Sequence, residues 1–192
     1  MKWYEKYLSV YGKPYADVSA EVMDGIRNRL RTLQSDEPLV SVVVIAYNEE
    51  KHLPACLWSL SESVCEYPME IIGVNNDSAD RTADVFEASG IPYHTELQHS
   101  CGYARRCGLQ YAQGKYYICI DSDTMYPPGY VQAMTDALQR PGIVAVSSLW
   151  SYMPDEGHPW LGLKIYEFMR DTHLWMQSFK RPELSVRGLV FA

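Results

Sequence analysis

"LVSVVVIAYNEE", residues 39–50, fixes the architecture of the chain. From Leu39 to Ala46 the run is unbroken and rich in Val and Ile, the pattern of a strand covered on both faces. At Tyr47 the polarity changes abruptly, and Leu53, Leu57, Leu60 and Val64 then repeat at helical spacing. The same unit recurs. "EIIGV" (Glu70 to Val74) is a second strand, followed by a helix marked by Ala79, Ala83 and Phe86. "IPYHT" (Ile91 to Thr95) is a weaker strand that Pro92 assigns to an edge. Ala104, Gly108 and Tyr111 mark a helix before the strand Tyr116 to Ile120. Val131, Met134 and Leu138 form another helix face, and "GIVAVSS" (Gly142 to Ser148) returns to strand. This alternation predicts an α/β fold: β–α units with right-handed crossovers around a mostly parallel sheet flanked by helices.

Two segments flank that core. Val18, Val22, Ile26, Leu30 and Leu33 give an amphipathic helix with Asp17 or Ser19 near its start. Leu161, Ile165, Phe168, Thr172, Trp175 and Phe179 outline a longer one. Packing against the sheet is its plainer reading; contact with an acceptor or peripherally with a membrane is the other.

The 192 residues suffice for one core-bearing domain, and 47 % hydrophobic with 21 % charged residues places the chain among soluble globular proteins. A formal net charge of −7 argues against nucleic acid, which needs clustered Lys and Arg. It does not argue against a phosphorylated small molecule, because a metal ion inverts the sign of a site locally. Five cysteines without a C-x-x-C pair read as reduced thiols in a cytoplasmic protein. "MKWYEKYLSV" lacks the apolar core of a signal peptide, and no apolar run reaches membrane-spanning length.

In parallel sheets ligands bind at the carboxyl ends of the strands. That is where the polar runs "YNEE", "NNDSAD" and "DSD" fall. Asp121 and Asp123 leave one strand end together, and two carboxylates suit a hard cation that also holds phosphate oxygens and water. D-x-D alone is more often a turn; its place after a buried strand favours the metal. Asn48 reads as a helix cap and Glu49 and Glu50 suit a helix start, whereas Tyr47 offers an aromatic face to a nucleobase. Asp80 or Ser78 caps the next helix; Asn75 and Asn76 are left over, and an amide there can read the edge of a base. Arg105 and Arg106 stand at a helix start, where they oppose the dipole, so at least one has an anionic partner. A solvated side chain is an equal reading for Arg106. Among the histidines, His99 stands out only by its position just before "GYARR".

Four collinear pieces, "VSVVVIAYNEE", "GVNNDSADRT", "ARRCG" and "DSD", together resemble the family 2 glycosyltransferases of the GT-A fold, from about Leu39 to Ala192. The resemblance implies residues 39–192 as a nucleotide-sugar-binding domain and residues 1–38 as an N-terminal helical extension. It implies a UDP- or GDP-sugar donor, a saccharide or lipid-linked acceptor, Mg²⁺ or Mn²⁺, and an inverting transfer in the cytoplasm or at the inner face of the membrane, as in cell-envelope polysaccharide synthesis. Carried across by position, Tyr47 and Glu49 line the nucleoside pocket and Asn76 stands where an Asp often bonds the base. Arg105 faces the donor, Asp121 approaches ribose or metal, and Asp123 binds the metal most directly.

The sequence departs from the family pattern in places. The first strand has Ile45 and Ala46 where proline is usual, Asn75 and Asn76 replace two aspartates, Asp77 stands where Gly is common, and "A-R-N" is "A-R-R". "SVRGLVFA" (Ser185 to Ala192) resembles the strand before the acceptor-binding segment. The general base is therefore expected beyond Ala192, with the chain a fragment exposing apolar surface near Val190 and Phe191. A nucleotidyltransferase would carry a glycine-rich basic loop after the first strand, and "AYNEE" is neither. A dinucleotide-binding Rossmann protein would carry G-x-G-x-x-G there. A non-catalytic nucleotide-sugar binding module shares every feature read here.

Overall fold

The computed structural model describes residues 2–154, 157–180 and 190–191. Strands β1 (Val40–Ala46), β2 (Met69–Asn75), β3 (Tyr93–Thr95), β4 (Tyr116–Asp121), β5 (Ala145–Val146) and β6 (Val190–Phe191) form one sheet in the order β3-β2-β1-β4-β6-β5. The first four strands are parallel, and β6 runs antiparallel to both β4 and β5. The described α-helices are α1 (Ala20–Leu33), α2 (Leu53–Ser61), α3 (Thr82–Ser89), α4 (Cys101–Tyr111), α5 (Tyr130–Leu138) and α6 (Trp160–Lys180), preceded by two short 3-10 turns.

Every residue of β1 is buried, which explains why its sequence shows no polar–apolar alternation. Its side chains still alternate. Val40, Val42, Val44 and Ala46 enter a core shared with α1, α2, α3 and α5. Val43 and Ile45 enter a second core under α4, with Ala104 and Cys107. Fully burying each such Val or Ile contributes roughly 1.5–3 kcal/mol. Gly108 is what lets α4 sit so close: a Cβ there would lie 2.3 Å from Val43 Cγ1. Gly90, at φ +73°, ends α3 in the left-handed conformation that glycine adopts without strain.

The N-terminal residues are built into this body. Ser19 caps α1, its Oγ accepting from Val22 N at 3.4 Å. Met23, Ile26 and Leu30 join the main core. Gln34 then clasps the free edge of β2 by both amide atoms, donating to and accepting from Ile71 at 3.0 Å. Before α1, the 3-10 turn Glu5–Ser9 buries Tyr7 beside Ala55 and Trp58 of α2.

Several boundaries differ from the sequence reading. Val64 lies beyond the end of α2 and is exposed, because the helix stops at Ser61. Ala79 precedes α3. "GIVAVSS" contributes only Ala145–Val146 to the sheet. In "SVRGLVFA" only the backbone strand Val190–Phe191 falls within the described residues. The expected exposure of those two side chains lies outside them. α6 displays Trp160, Phe168, Trp175 and Phe179 to solvent. No described helix is long and apolar enough to cross a membrane.

Candidate active site at the carboxyl ends of the central strands

Parallel register brings three strand ends level: Ala46 pairs with Asn75 and Ile45 with Asp121. The loops that leave them are laced together by side chains. Asn48 N donates to Ser78 Oγ at 2.9 Å while Asn48 Oδ1 accepts from Ala79 N at 2.8 Å. Glu49 N donates to Thr82 Oγ1 at 2.8 Å and Glu50 N to Asp80 Oδ2 at 3.0 Å. Asp80 also accepts from Thr82 N at 3.0 Å, but the cap position of α3 is Arg81 with no side-chain cap, so neither Asp80 nor Ser78 caps the helix. Asn48, too, is no helix cap. It sits in the left-handed region at φ +55° and spends its side chain on the neighbouring loop, while α2 starts five residues later, at Leu53.

Asn75 and Asn76, read as surplus polarity, both hold backbone. Asn75 Oδ1 accepts from Ser78 N at 3.1 Å. Asn76 is buried; its Nδ2 donates to Glu96 O and to Gln98 O, both at 2.8 Å, and its Oδ1 accepts from Ser100 N at 3.0 Å. Both amide hydrogens are therefore committed to the segment before α4, and one carbonyl lone pair is left for anything else. Asp77, at φ +54°, occupies the conformation that favours glycine, and its carboxylate meets His99 Nε2 at 3.2 Å.

A cavity of about 370 Å³ opens between these loops, lined by Tyr47, Glu49, Asn76, His99, Asp121 and Asp123 among others. Five of the six residues assigned from sequence to donor or metal thus share one hollow. Arg105 reaches it from behind, its Nη2 donating to Asp121 Oδ1 at 3.2 Å. Arg105 Nε is buried and has no hydrogen-bond partner among the described residues. Tyr47 is half exposed at the mouth, with the His99 ring edge-on to it at 5.1 Å. The two rings offer a nucleobase one face and one edge.

The carboxylates differ in their surroundings. Burial raises the Glu49 carboxyl above its ordinary value, against the opposing 2.7 Å contact with His52 Nδ1. Asp121 and Asp123 are exposed. The backbone of Asp121 is pinned by buried Tyr126, whose Oη accepts from Asp121 N at 3.2 Å and donates to Asp121 O at 3.1 Å. Among the described residues Asp123 Oδ1 accepts only the bond from the Thr124 side chain, at 3.1 Å. Asp121 and Asp123 thus keep oxygens free at the cavity edge. No cluster of three or more His, Cys, Asp and Glu side chains that could hold a metal occurs among the described residues. Two carboxylates fit a hard divalent cation whose remaining positions are filled by a ligand's diphosphate and water.

Two contributors carried no signal in the sequence. Tyr126 stands in a stretch that reads only as a turn. Tyr11 lies 112 positions from Asp123, yet its Oη donates to Asp123 O at 3.2 Å. Burial, then the charges of Asp123 and Glu49, raises the Tyr11 phenol above its ordinary value, so it stays a donor.

The sequence pattern of the family described as "Glycosyl transferase family 2" matches residues 41–188. The protein EpsH of Bacillus subtilis (strain 168), which carries the name of a glycosyltransferase, is 34 % identical over 105 residues, 52 % of this chain and 30 % of its own. The chain spans roughly a third of the length of the first curated relatives it matches. Glucosyl-3-phosphoglycerate synthase from Mycobacterium tuberculosis, solved with Mn²⁺, UDP and glucosyl-3-phosphoglycerate, superposes with a TM-score of 0.57 at 22 % identity, over 95 % of this chain and 62 % of that one. A mannosyltransferase from Pyrobaculum calidifontis, solved with GDP-Man and Mn²⁺, superposes with a TM-score of 0.52 at 18 % identity, over 76 % of this chain and 47 % of that one. At these identities the two structures establish a shared fold.

Proposed function

We propose, since the chain belongs to glycosyl transferase family 2, that it carries the donor half of an inverting glycosyltransferase that moves a sugar from a nucleoside diphosphate to an acceptor hydroxyl. The observation that carries this reading is the single cavity that gathers Tyr47, Glu49, Asn76, Asp121 and Asp123 at the carboxyl ends of β1, β2 and β4.

In this reading the nucleobase lies against Tyr47, with His99 at its edge. Asn76 acts mainly by holding the segment before α4 in place, and its remaining lone pair accepts from a base N–H. Asp121 and Asp123 hold Mg²⁺ or Mn²⁺ together with the donor diphosphate. That ion supplies Lewis-acid stabilisation of the charge growing on the leaving diphosphate. Arg105, already paired with Asp121, holds that carboxylate in place. In the transfer the acceptor oxygen bonds to the anomeric carbon as the bond to the diphosphate breaks. The hydroxyl proton passes to a general base, a role given to none of the described residues. The acceptor is a saccharide or a lipid-linked saccharide. α6, with its exposed Trp160, Phe168 and Trp175, is the element best suited to meet it or the membrane surface that carries it.

Calorimetric titration of UDP and GDP, with and without Mn²⁺, into wild type and Asp123→Ala tests the reading. Metal-dependent binding of one nucleotide, weakened at least about tenfold in the variant, is expected. Binding of neither nucleotide to the wild-type chain in the presence of Mn²⁺ overturns it.

A further inference from the structure

Residues 5–12 lie ahead of the family match, which begins at residue 41, yet they touch both loops that frame the proposed metal site. The segment is anchored on α2. Tyr7 is fully buried, its ring 5.6 Å from that of Trp58 and its Oη donating to Glu62 Oε2 at 2.8 Å. Lys6 pairs with the same carboxylate. From that anchor the chain turns through Gly12, at φ +76°, and makes four contacts beyond α2. Gly12 N donates to Lys51 O at 2.9 Å, and the Tyr11 ring lies 4.8 Å from His52, the partner of Glu49. Tyr11 Oη donates to Asp123 O at 3.2 Å, and Met125 packs into the same apolar cluster as Tyr7 and Val10.

A loop whose carboxylate must meet a cation gains from a donor that fixes its own peptide, because an unrestrained ligand pays ordering entropy when the ion binds. Asp121 has such support from Tyr126 within its own loop. For Asp123, the only hydrogen bond from outside its own loop among the described residues is the one from Tyr11.

We infer that residues 5–12 form a strap that preorganises the metal-binding loop, with Tyr11 as a positioning residue for Asp123. The inference rests on the proposed function, since it assigns the strap to the donor site. It makes the strength of metal-dependent nucleotide binding a property of the N-terminus as well as of the matched domain.

Tyr11→Phe removes one oxygen atom and keeps the ring against His52, so the fold should survive. UDP and GDP are titrated into wild type and variant with and without Mn²⁺, and amide hydrogen exchange is followed over residues 121–126. The expected result is a loss on the order of tenfold in the Mn²⁺-dependent affinity, with no change in metal-free binding or thermal midpoint, and faster exchange in the loop. Wild-type binding that Tyr11→Phe leaves intact overturns the inference alone. An equal loss with and without Mn²⁺ also overturns it, because the strap would then act on the whole cavity. A wild-type chain that binds neither nucleotide with Mn²⁺ overturns the functional reading and the inference with it.

Discussion

Residues 40–121 and residues 142–180 are built from the same ingredients, apolar strands and amphipathic helices, and they bury them very differently. In the first region no residue of β1 is more than 8 % exposed and Phe86 is 0 % exposed. In the second, β5 is two residues long and α6 shows Phe168 at 73 % and Phe179 at 71 % exposure. The difference teaches where the stability and the chemistry sit together. The cavity is lined by residues of the first region together with Ser122 and Asp123 just beyond it, so a ligand there would draw on packing that is already complete. Within the second region Arg170 lies 4.3 Å over the Trp150 ring and Glu167 Oε1 accepts from Tyr152 N at 2.7 Å.

Core substitutions should separate the regions most sharply. Phe86→Ala removes a ring packed 5.5 Å from Tyr93 and is expected to cost about 3–5 kcal/mol in denaturant unfolding. Gly108→Ala, which drives a methyl into Val43, should cost about 1–3 kcal/mol by overpacking. A variant at either position that melts like wild type would break the comparison.

Asn76→Asp probes the loops. It restores the carboxylate common in the family but sets an oxygen against the carbonyls of Glu96 and Gln98. It should lose about 1–3 kcal/mol of stability without tightening nucleotide binding, and tighter UDP binding in calorimetry would make base reading, and not holding the segment before α4, the main role of this position.

A smaller effect is expected at the strap anchor. Burial alone would raise the Glu62 carboxyl, but hydrogen bonds from Lys6, Tyr7 and Trp58 outweigh it and hold the group below its ordinary 4.5. A depressed carboxylate stabilises the fold above pH 4.5, and that stabilisation is lost as the pH falls through the lowered value. Glu62→Gln should therefore melt below wild type at pH 6, with the gap closing toward pH 3. With both partners partly exposed, the gap should stay within about 1 kcal/mol. Smallest of all, Phe168→Ala on α6 should change stability by no more than about 0.5 kcal/mol. A cost comparable to that of Phe86→Ala would show that the two regions are equally packed.

The parts of the molecule that announce themselves in sequence are those governed by local periodicity. β1, β2 and β4 are legible because burial on both faces forces continuous apolar runs, and Asp121 and Asp123 because they end such a run. Ser19 is legible as a cap because capping is local. Asn48 misleads for an instructive reason: the residue types that cap helices are also those that tolerate φ +55° and bond an adjacent loop. Asn75 and Asn76 have the same double use. Tyr11 and Tyr126 are silent because their partners are set by the tertiary fold. The surroundings of α6 are equally invisible, since an amphipathic repeat says that a face is apolar and not what it meets.

The sheet order has a consequence for how the molecule is made. β6 is the last of the described strands in chain order, yet it lies between β4 and β5. During vectorial synthesis one edge of β4 must therefore wait, with its amides and carbonyls unpaired, until residue 191 has left the ribosome. β5, some 45 residues earlier, cannot join before it. Non-local pairing of this kind is slow, and a bare strand edge invites association between nascent chains. Pulse-labelled exchange should find the β1–β2 and β1–β4 amides protected first and those of β4 that face β6 last, so that the half of the sheet carrying the cavity takes shape while its other edge is still unpaired.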